Sequence, residues 1–245
     1  MNKQLIPLCL LVFLIATLFI ACENLPQNEM NAPSYLIYYE TFQYTKDYSY
    51  QYCQISGLND KKKEEQINQA LKEGATSWTI EKIIHARAQE PYVVFQSDRY
   101  LTVSYFFEFP SGDHPFFNVI VTIDMQEGKR VWLNDLVDTN IDFVKKLRDE
   151  DIAVARDLFT EEQKTADERE RSFLKGHSYE ELSMELLSCS EDVDEYIAKW
   201  NVFPSQNTFY ISESGKLEIV FGGPPTHGIS LDLDDIEEFL KVEKW

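Results

Sequence analysis

Residues 100–109 read YLTVSYFFEF, and Leu101, Val103, Tyr105, Phe107 and Phe109 occupy every second position. That is the period of a strand with one apolar face. Upstream, YVVFQS is joined to it by Asp98-Arg99 alone. Downstream, PSGDHP crowds turn-forming residues together. FFNVIVTIDM then repeats the alternation, with Phe117, Val119, Val121 and Ile123 on one face. Gln126-Glu127-Gly128-Lys129 makes a hairpin turn into RVWL. Turns this short force successive strands to run antiparallel, so the stretch predicts a β-meander.

Toward the N-terminus, residues 35–55 are rich in tyrosine, and Tyr48, Tyr50 and Tyr52 alternate with Ser49, Gln51 and Cys53 at strand period. SGLND follows as a turn. From Asp60 to about Ala88 the apolar spacing becomes helical, through Ile67, Leu71, Trp78 and Ile84, with Gly74 a weak point. Toward the C-terminus, residues 134–200 are helical. Asn140 caps a helix predicted to carry Val144, Leu147, Ile152, Ala155 and Leu158, and capping boxes begin at Thr160 and Ser178. TADERERSFLKG is charged on most sides, which predicts a surface helix. TFYIS and KLEIVF flank Glu213-Ser214-Gly215 as a hairpin, GGPPTHG is a loop, ISLDL is a short strand, and Asp234 opens a final helix to Trp245. Consecutive strands, a helical block and further strands predict an α+β fold: a mainly antiparallel sheet with helices packed on one face, and a C-terminal hairpin plus helix.

The N-terminus has a different logic. Lys3 precedes an apolar run from Leu5 to Ala21, the layout of a secretory signal. The run ends in LFIAC. Phe19-Ile20-Ala21-Cys22 resembles the lipobox of bacterial lipoproteins, with Phe19 in place of the preferred Leu. The resemblance implies cleavage between Ala21 and Cys22 and diacylation of the Cys22 sulfur. Two acyl chains give stable anchoring where one does not. Residues 1–21 are then a signal peptide, and residues 22–34, polar with two prolines, a flexible tether. The expected location is the bacterial cell membrane, lipid-anchored and facing outside the cytoplasm.

A formal charge of −19 speaks against nucleic acid and anionic lipid surfaces as partners and favours cationic ones, although solubility alone also explains it. Cys53 and Cys189 remain after the signal and the anchor. In an exported protein they either bridge or stay as two buried thiols.

Three segments resemble one family in order and spacing. YSYQYCQISGLNDKKKEEQINQAL is similar to its opening strand, turn and helix. PSGDHPFFNVIVTIDMQEGKRVWLNDL is similar to its central signature, and FYISESGKLEIVFGGPPTHGISLDLDDIEEFL to its closing hairpin, loop, strand and helix. The family is domain of unknown function 3298, often with a smaller N-terminal partner, domain of unknown function 4163; the likeness spans roughly residues 46–240. It implies an envelope-facing α+β domain, divided into a 4163-like part at 35–90 and a 3298-like part at 91–245. Members occur alone in lipoproteins and secreted proteins, as the outer part of lysozyme-responsive anti-sigma factors, and beside polysaccharide deacetylase domains. Only four residues precede the apolar run here, leaving no cytoplasmic arm for a sigma factor, and no deacetylase domain follows. Neither activity carries over.

Candidate chemistry is sparse. His114, beside Asp113 in a turn, and His227, in PPTHG, are the two histidines that could act as a base or ligand; a structural hydrogen bond within the turn explains His114 as well. There is no His-Glu-x-x-His, Cys-x-x-Cys or Gly-x-Ser-x-Gly pattern. The clustered carboxylates of TIDMQEG and LDLDDIEE lack a calcium-loop alternation and suit a turn and a helix start. Tyr48, Tyr50 and Tyr52 could stack on sugar rings, or form a half-buried strand face. The sequence therefore predicts a lipid-anchored binding or sensing module for a cationic protein or peptide, without catalytic residue, metal or cofactor. The alternative is an accessory protein that binds peptidoglycan, and a hydrolase ranks below both.

Overall fold

The meander forms as its pattern dictates. In the computed structural model β4 (Tyr92–Gln96), β5 (Tyr100–Glu108), β6 (Phe116–Asp124) and β7 (Lys129–Val131) follow one another as antiparallel neighbours. The structure describes residues 34–43, 46, 49–76, 87–88, 90–108, 116–155, 163–189, 208–221 and 227–245. A short β3 (Arg87–Ala88) also pairs with β5, completing a five-stranded sheet. The β6–β7 turn closes on Gly128, whose φ of +68° lies in the left-handed region that glycine adopts without strain. Asp124 Oδ1 accepts from the backbone N–H groups of Gln126 and Glu127, so this carboxylate serves the turn.

Leu101, Val103, Tyr105 and Phe107 of β5 and Val119, Val121 and Ile123 of β6 share one buried face. That face is covered by the N-terminal elements: the antiparallel pair β1 (Leu36–Gln43) and β2 (Ser49–Ser56), and helix α1 (Lys61–Thr76). Helix α1 buries Ile67, Leu71, Gly74 and Ala75, spaced by three and four residues as a helical stripe requires. Residues from 35–75 and 101–125 thus share one core.

A second core gathers around a four-stranded antiparallel sheet, ordered β8 (Val154–Ala155), β11 (His227–Leu231), β10 (Leu217–Phe221), β9 (Thr208–Ile211). Helices α2 (Leu133–Leu136), α3 (Ile141–Asp149), α4 (Gln163–Gly176) and α5 (Tyr179–Leu187) contribute Leu133, Leu136, Phe143, Leu147, Leu174 and Leu182 to it. Two of the expected caps are present: Asn140 Oδ1 accepts from Asp142 N and Phe143 N, and Ser178 and Glu181 form a reciprocal capping box, while Thr160 lies outside the described residues. The two sheets meet through a small cluster of Ile120, Tyr210 and Val220.

The fold is α+β, with antiparallel sheets as expected. Three details differ from the sequence reading. Helix α3 stops at Asp149, and Ala155 lies instead in β8, paired with Ile229. Ala88, expected at the end of the helix that begins near Asp60, lies instead in β3, paired with Phe107. The C-terminal helix is reduced to a single 3₁₀ turn, Glu237–Phe239. Its backbone is engaged elsewhere, by Asp138 N to Phe239 O, Lys241 N to Leu136 O and a Val137–Leu240 bridge. Those tertiary bonds outcompete a helix too short to stabilise itself. Among the described residues no helix is long and apolar enough to cross a membrane.

Candidate functional site

Helix α1 turns one stripe toward the core and a second toward the edge strand β7. Lys62, Glu65, Gln66, Gln69 and Glu73 recur at three- and four-residue steps along that second stripe. Opposite stand Lys129 and Arg130 of β7 and, just beyond it, Trp132. A groove of about 850 Å³ lies between these walls, with Gly74 and Gly128 also lining it.

Gly74 sets how closely the helix approaches the sheet. A Cβ there would lie 2.7 Å from both Cγ atoms of Val121, inside any tolerable contact. A glycine that weakens the isolated helix thus allows the helix–strand contact that shapes the groove. Gly128 differs: a Cβ there would meet Cβ of Gln66 at an ordinary 3.5 Å, and it is the positive φ of the turn that calls for glycine. Trp132 is held at the start of α2, its backbone N–H donating to Asp135 Oδ2 at 2.8 Å.

The Arg130 guanidinium carbon sits 3.9 Å from the centroid of the Trp132 ring, a cation–π stack. Burial lowers the Arg130 pKa to about 10, with Tyr105 pushing it back up, so it is still charged at neutral pH. Among the described residues Lys62, Lys129 and Arg130 enter no ion pair. Gln69 Nε2 donates to Glu73 Oε1 at 2.6 Å. The groove therefore presents amides, both signs of charge and one flat aromatic surface.

A second cluster surrounds a predicted residue. His227, at the start of β11, lies with Nδ1 2.8 Å from Oε2 of Glu170, a fully buried carboxylate on α4. Arg169 Nε donates to the other oxygen, Oε1, at 2.8 Å. The Phe173 ring stacks on the His227 imidazole, with centroids 4.0 Å apart and planes 16° apart. His177 packs on the same phenyl ring and places Nδ1 2.8 Å from the Phe173 carbonyl oxygen. Glu170 orients His227 as a carboxylate orients a catalytic imidazole. The Arg169 guanidinium on its other oxygen is the kind of pairing that makes a buried carboxylate tolerable.

The remaining predicted residues fall apart. Ala21, Cys22, Tyr48 and His114 lie outside the described residues. Tyr50 and Tyr52 are each 4% exposed and offer no platform to a sugar. Their hydroxyls are engaged, Tyr50 donating to the Ala75 carbonyl oxygen at 3.3 Å and Tyr52 to Oε2 of the exposed Glu40 at 2.6 Å. Tyr50 and Tyr52 form a buried strand face. Cys53 and Cys189 are not bridged: both are free and buried, one in each core. Burial pushes both thiols up to about 12.

Sequence reasoning missed Arg130, Trp132 and the outer stripe of α1, because nothing local says which strand a polar helix face will meet. It also missed Glu170. A signal was there, since Ala166, Glu170, Phe173, Leu174 and His177 form a stripe at helical spacing. No protein-family model and no curated protein matches the chain.

Proposed function

We propose that the chain is a lipid-anchored binding module of the bacterial cell envelope, facing away from the cytoplasm, and that the groove between α1 and β7 holds its ligand. The likeness to domain of unknown function 3298 and the lipobox at Cys22 support the placement. The observation that carries the ligand reading is the groove itself. Gln66, Gln69 and the charged ends around them can hydrogen-bond hydroxyl groups, and the Trp132 ring, which carries the Arg130 guanidinium on one face, has a second face on which a sugar ring can pack. A glycan of the cell wall fits this arrangement better than a cationic peptide does, because the groove already contains Lys62, Lys129 and Arg130.

Co-sedimentation of the full-length protein in detergent with purified peptidoglycan tests the reading. Retention above a bovine albumin control is expected, and recovery entirely in the supernatant overturns it. The cationic-protein reading draws on a different observation, the −19 charge of the whole chain. It requires capture by immobilised lysozyme at low salt that weakens at moderate salt. The anchor has its own test: Cys22→Ser or globomycin treatment is expected to block maturation, and unchanged mass and membrane retention would overturn it.

A further inference from the structure

Resting on the groove as the glycan site, we infer that it selects glycans bearing a carboxylate, and that Arg130 receives that carboxylate. Charge supplies the first argument. The chain has 42 acidic residues against 23 basic ones, and among the described residues eight lysine and arginine side chains sit beside a carboxylate. Lys61 pairs with Glu64, Lys146 with Glu150 and Glu238, and Lys244 with Asp234 and Glu237. In the groove, three cations outnumber Glu65 and Glu73, and none of the three is in an ion pair among the described residues.

Desolvation supplies the second. Arg130 is half-buried, and no carboxylate among the described residues replaces the water it has lost. A desolvated cation without a counter-charge is costly in the empty site, and a ligand carboxylate relieves that cost on binding. The guanidinium fork matches a carboxylate through two parallel N–H···O bonds, which a lysine cannot imitate.

Pre-organisation supplies the third. Stacking on Trp132 at 3.9 Å constrains the guanidinium plane before any ligand arrives. Less freedom is then lost on binding. Glu65 and Glu73, across on the α1 wall, disfavour an acidic group on that side. A ligand with one carboxylate toward β7 and hydroxyl or amide groups toward Gln66 and Gln69 satisfies both walls. Among wall sugars, the muramyl residue carries such a carboxylate on its lactyl arm.

The test uses the full-length protein in detergent micelles and two probes: the disaccharide of N-acetylglucosamine and N-acetylmuramic acid, and its methyl ester. Isothermal titration is expected to show the acid binding at least ~10-fold more tightly than the ester, the scale of one charged hydrogen-bonding pair. Added salt is expected to weaken the acid alone. Arg130→Gln is expected to bring the acid-to-ester ratio close to one, with thermal melting checking that the variant folds. If it does not fold, the salt dependence of the wild type still decides. Equal affinity for acid and ester overturns the inference and leaves the glycan reading standing. Binding of neither probe overturns both. Tighter binding of a uronic-acid oligomer than of the muramyl disaccharide overturns the wall source.

Discussion

The two cores of this protein are built from different materials. The core beneath α1 contains Tyr35, Tyr50, Tyr52 and Tyr105, each placing its hydroxyl on a backbone or side-chain partner. The core beneath α3 to α5 is larger and mainly aliphatic, with Tyr100 its one tyrosine among the described buried residues. The first is held by packing and by directional bonds that tie β2 to α1 and β5. The second is held chiefly by shape and volume. The difference teaches where each will fail: the tyrosine core when its hydroxyls and thiol ionise, the aliphatic core when its volume is disturbed.

Alkaline pH is expected to have the largest effect. Burial raises Tyr35 and Cys53 to about 12; burial and then the bond to Glu40 raise Tyr52 to about 12; burial raises Tyr105 higher still. A raised folded pKa means that folding favours the neutral form. The stabilisation is complete below the unfolded values, 9.0 for the thiol and 10.0 for the phenols, and is lost as pH rises through the folded values near 12. The aliphatic core carries the same liability only at Cys189 and Tyr100. Tyrosinate absorbance and backbone amide spectra followed from pH 9 to 12 should show β2 and α1 losing structure before α3 and α5. Simultaneous loss would mean that the cores do not differ in this way.

Phe143→Ala should come next, at about 3–5 kcal/mol, because it empties a fully buried ring site in the aliphatic core. Phe143 packs edge-on against Phe239, with centroids 5.4 Å apart, so the cavity would also loosen the 3₁₀ turn. Urea unfolding measures the loss. Hydrogen exchange should show it concentrated in α3, α5 and the C-terminal segment, with β2 protected as before. A loss below 1 kcal/mol would argue that this core collapses around the hole as a soft one does.

The two cores were also unequally legible. The apolar faces of β5 and β6 were plain because alternation has a fixed period and Gly128 marks its turn. Asn140 and Ser178 announced their helices because a cap is a local bond. By contrast, Ala155 joins a strand and the segment after Asp234 gives up its helix because of partners as distant as Ile229 and Val137. The groove was hidden for the same reason. Lys62 to Glu73 look like any solvated helix face until the absent Cβ of Gly74 lets α1 settle on Val121 beside Arg130 and Trp132.

Tyr105→Phe probes the tyrosine core by a single oxygen. The Tyr105 hydroxyl accepts from the backbone N–H of Cys53 at 3.3 Å, in a buried position. Losing it should cost ~1–2 kcal/mol, because a buried donor loses its acceptor while the ring remains. Urea midpoints compared at neutral pH measure it, and the variant should also shift the onset of alkaline unfolding upward by removing one ionisable phenol.

Tyr100→Phe is the same change made in the other core, and its expected effect is the smallest, with the opposite sign. The Tyr100 hydroxyl is buried without a well-formed hydrogen bond among the described residues, the Arg99 side chain approaching only closely enough to offset part of the rise that burial causes in its pKa. The nearest cation, Arg99, lies over the ring at 5.2 Å from its centroid, and Trp245 packs edge-on at 5.9 Å. Both contacts are made to the ring, which phenylalanine keeps. Deleting an oxygen that has lost its water and gained no well-formed hydrogen bond should therefore leave stability unchanged or raise it by up to about 1 kcal/mol. The informative quantity is the difference between the two variants. If Tyr100→Phe costs as much as Tyr105→Phe, loss of the phenol is harmful in either core, and hydroxyl partners are not what separates them. If the signs differ, one core depends on where its oxygens point and the other only on how its rings and methyl groups fill space.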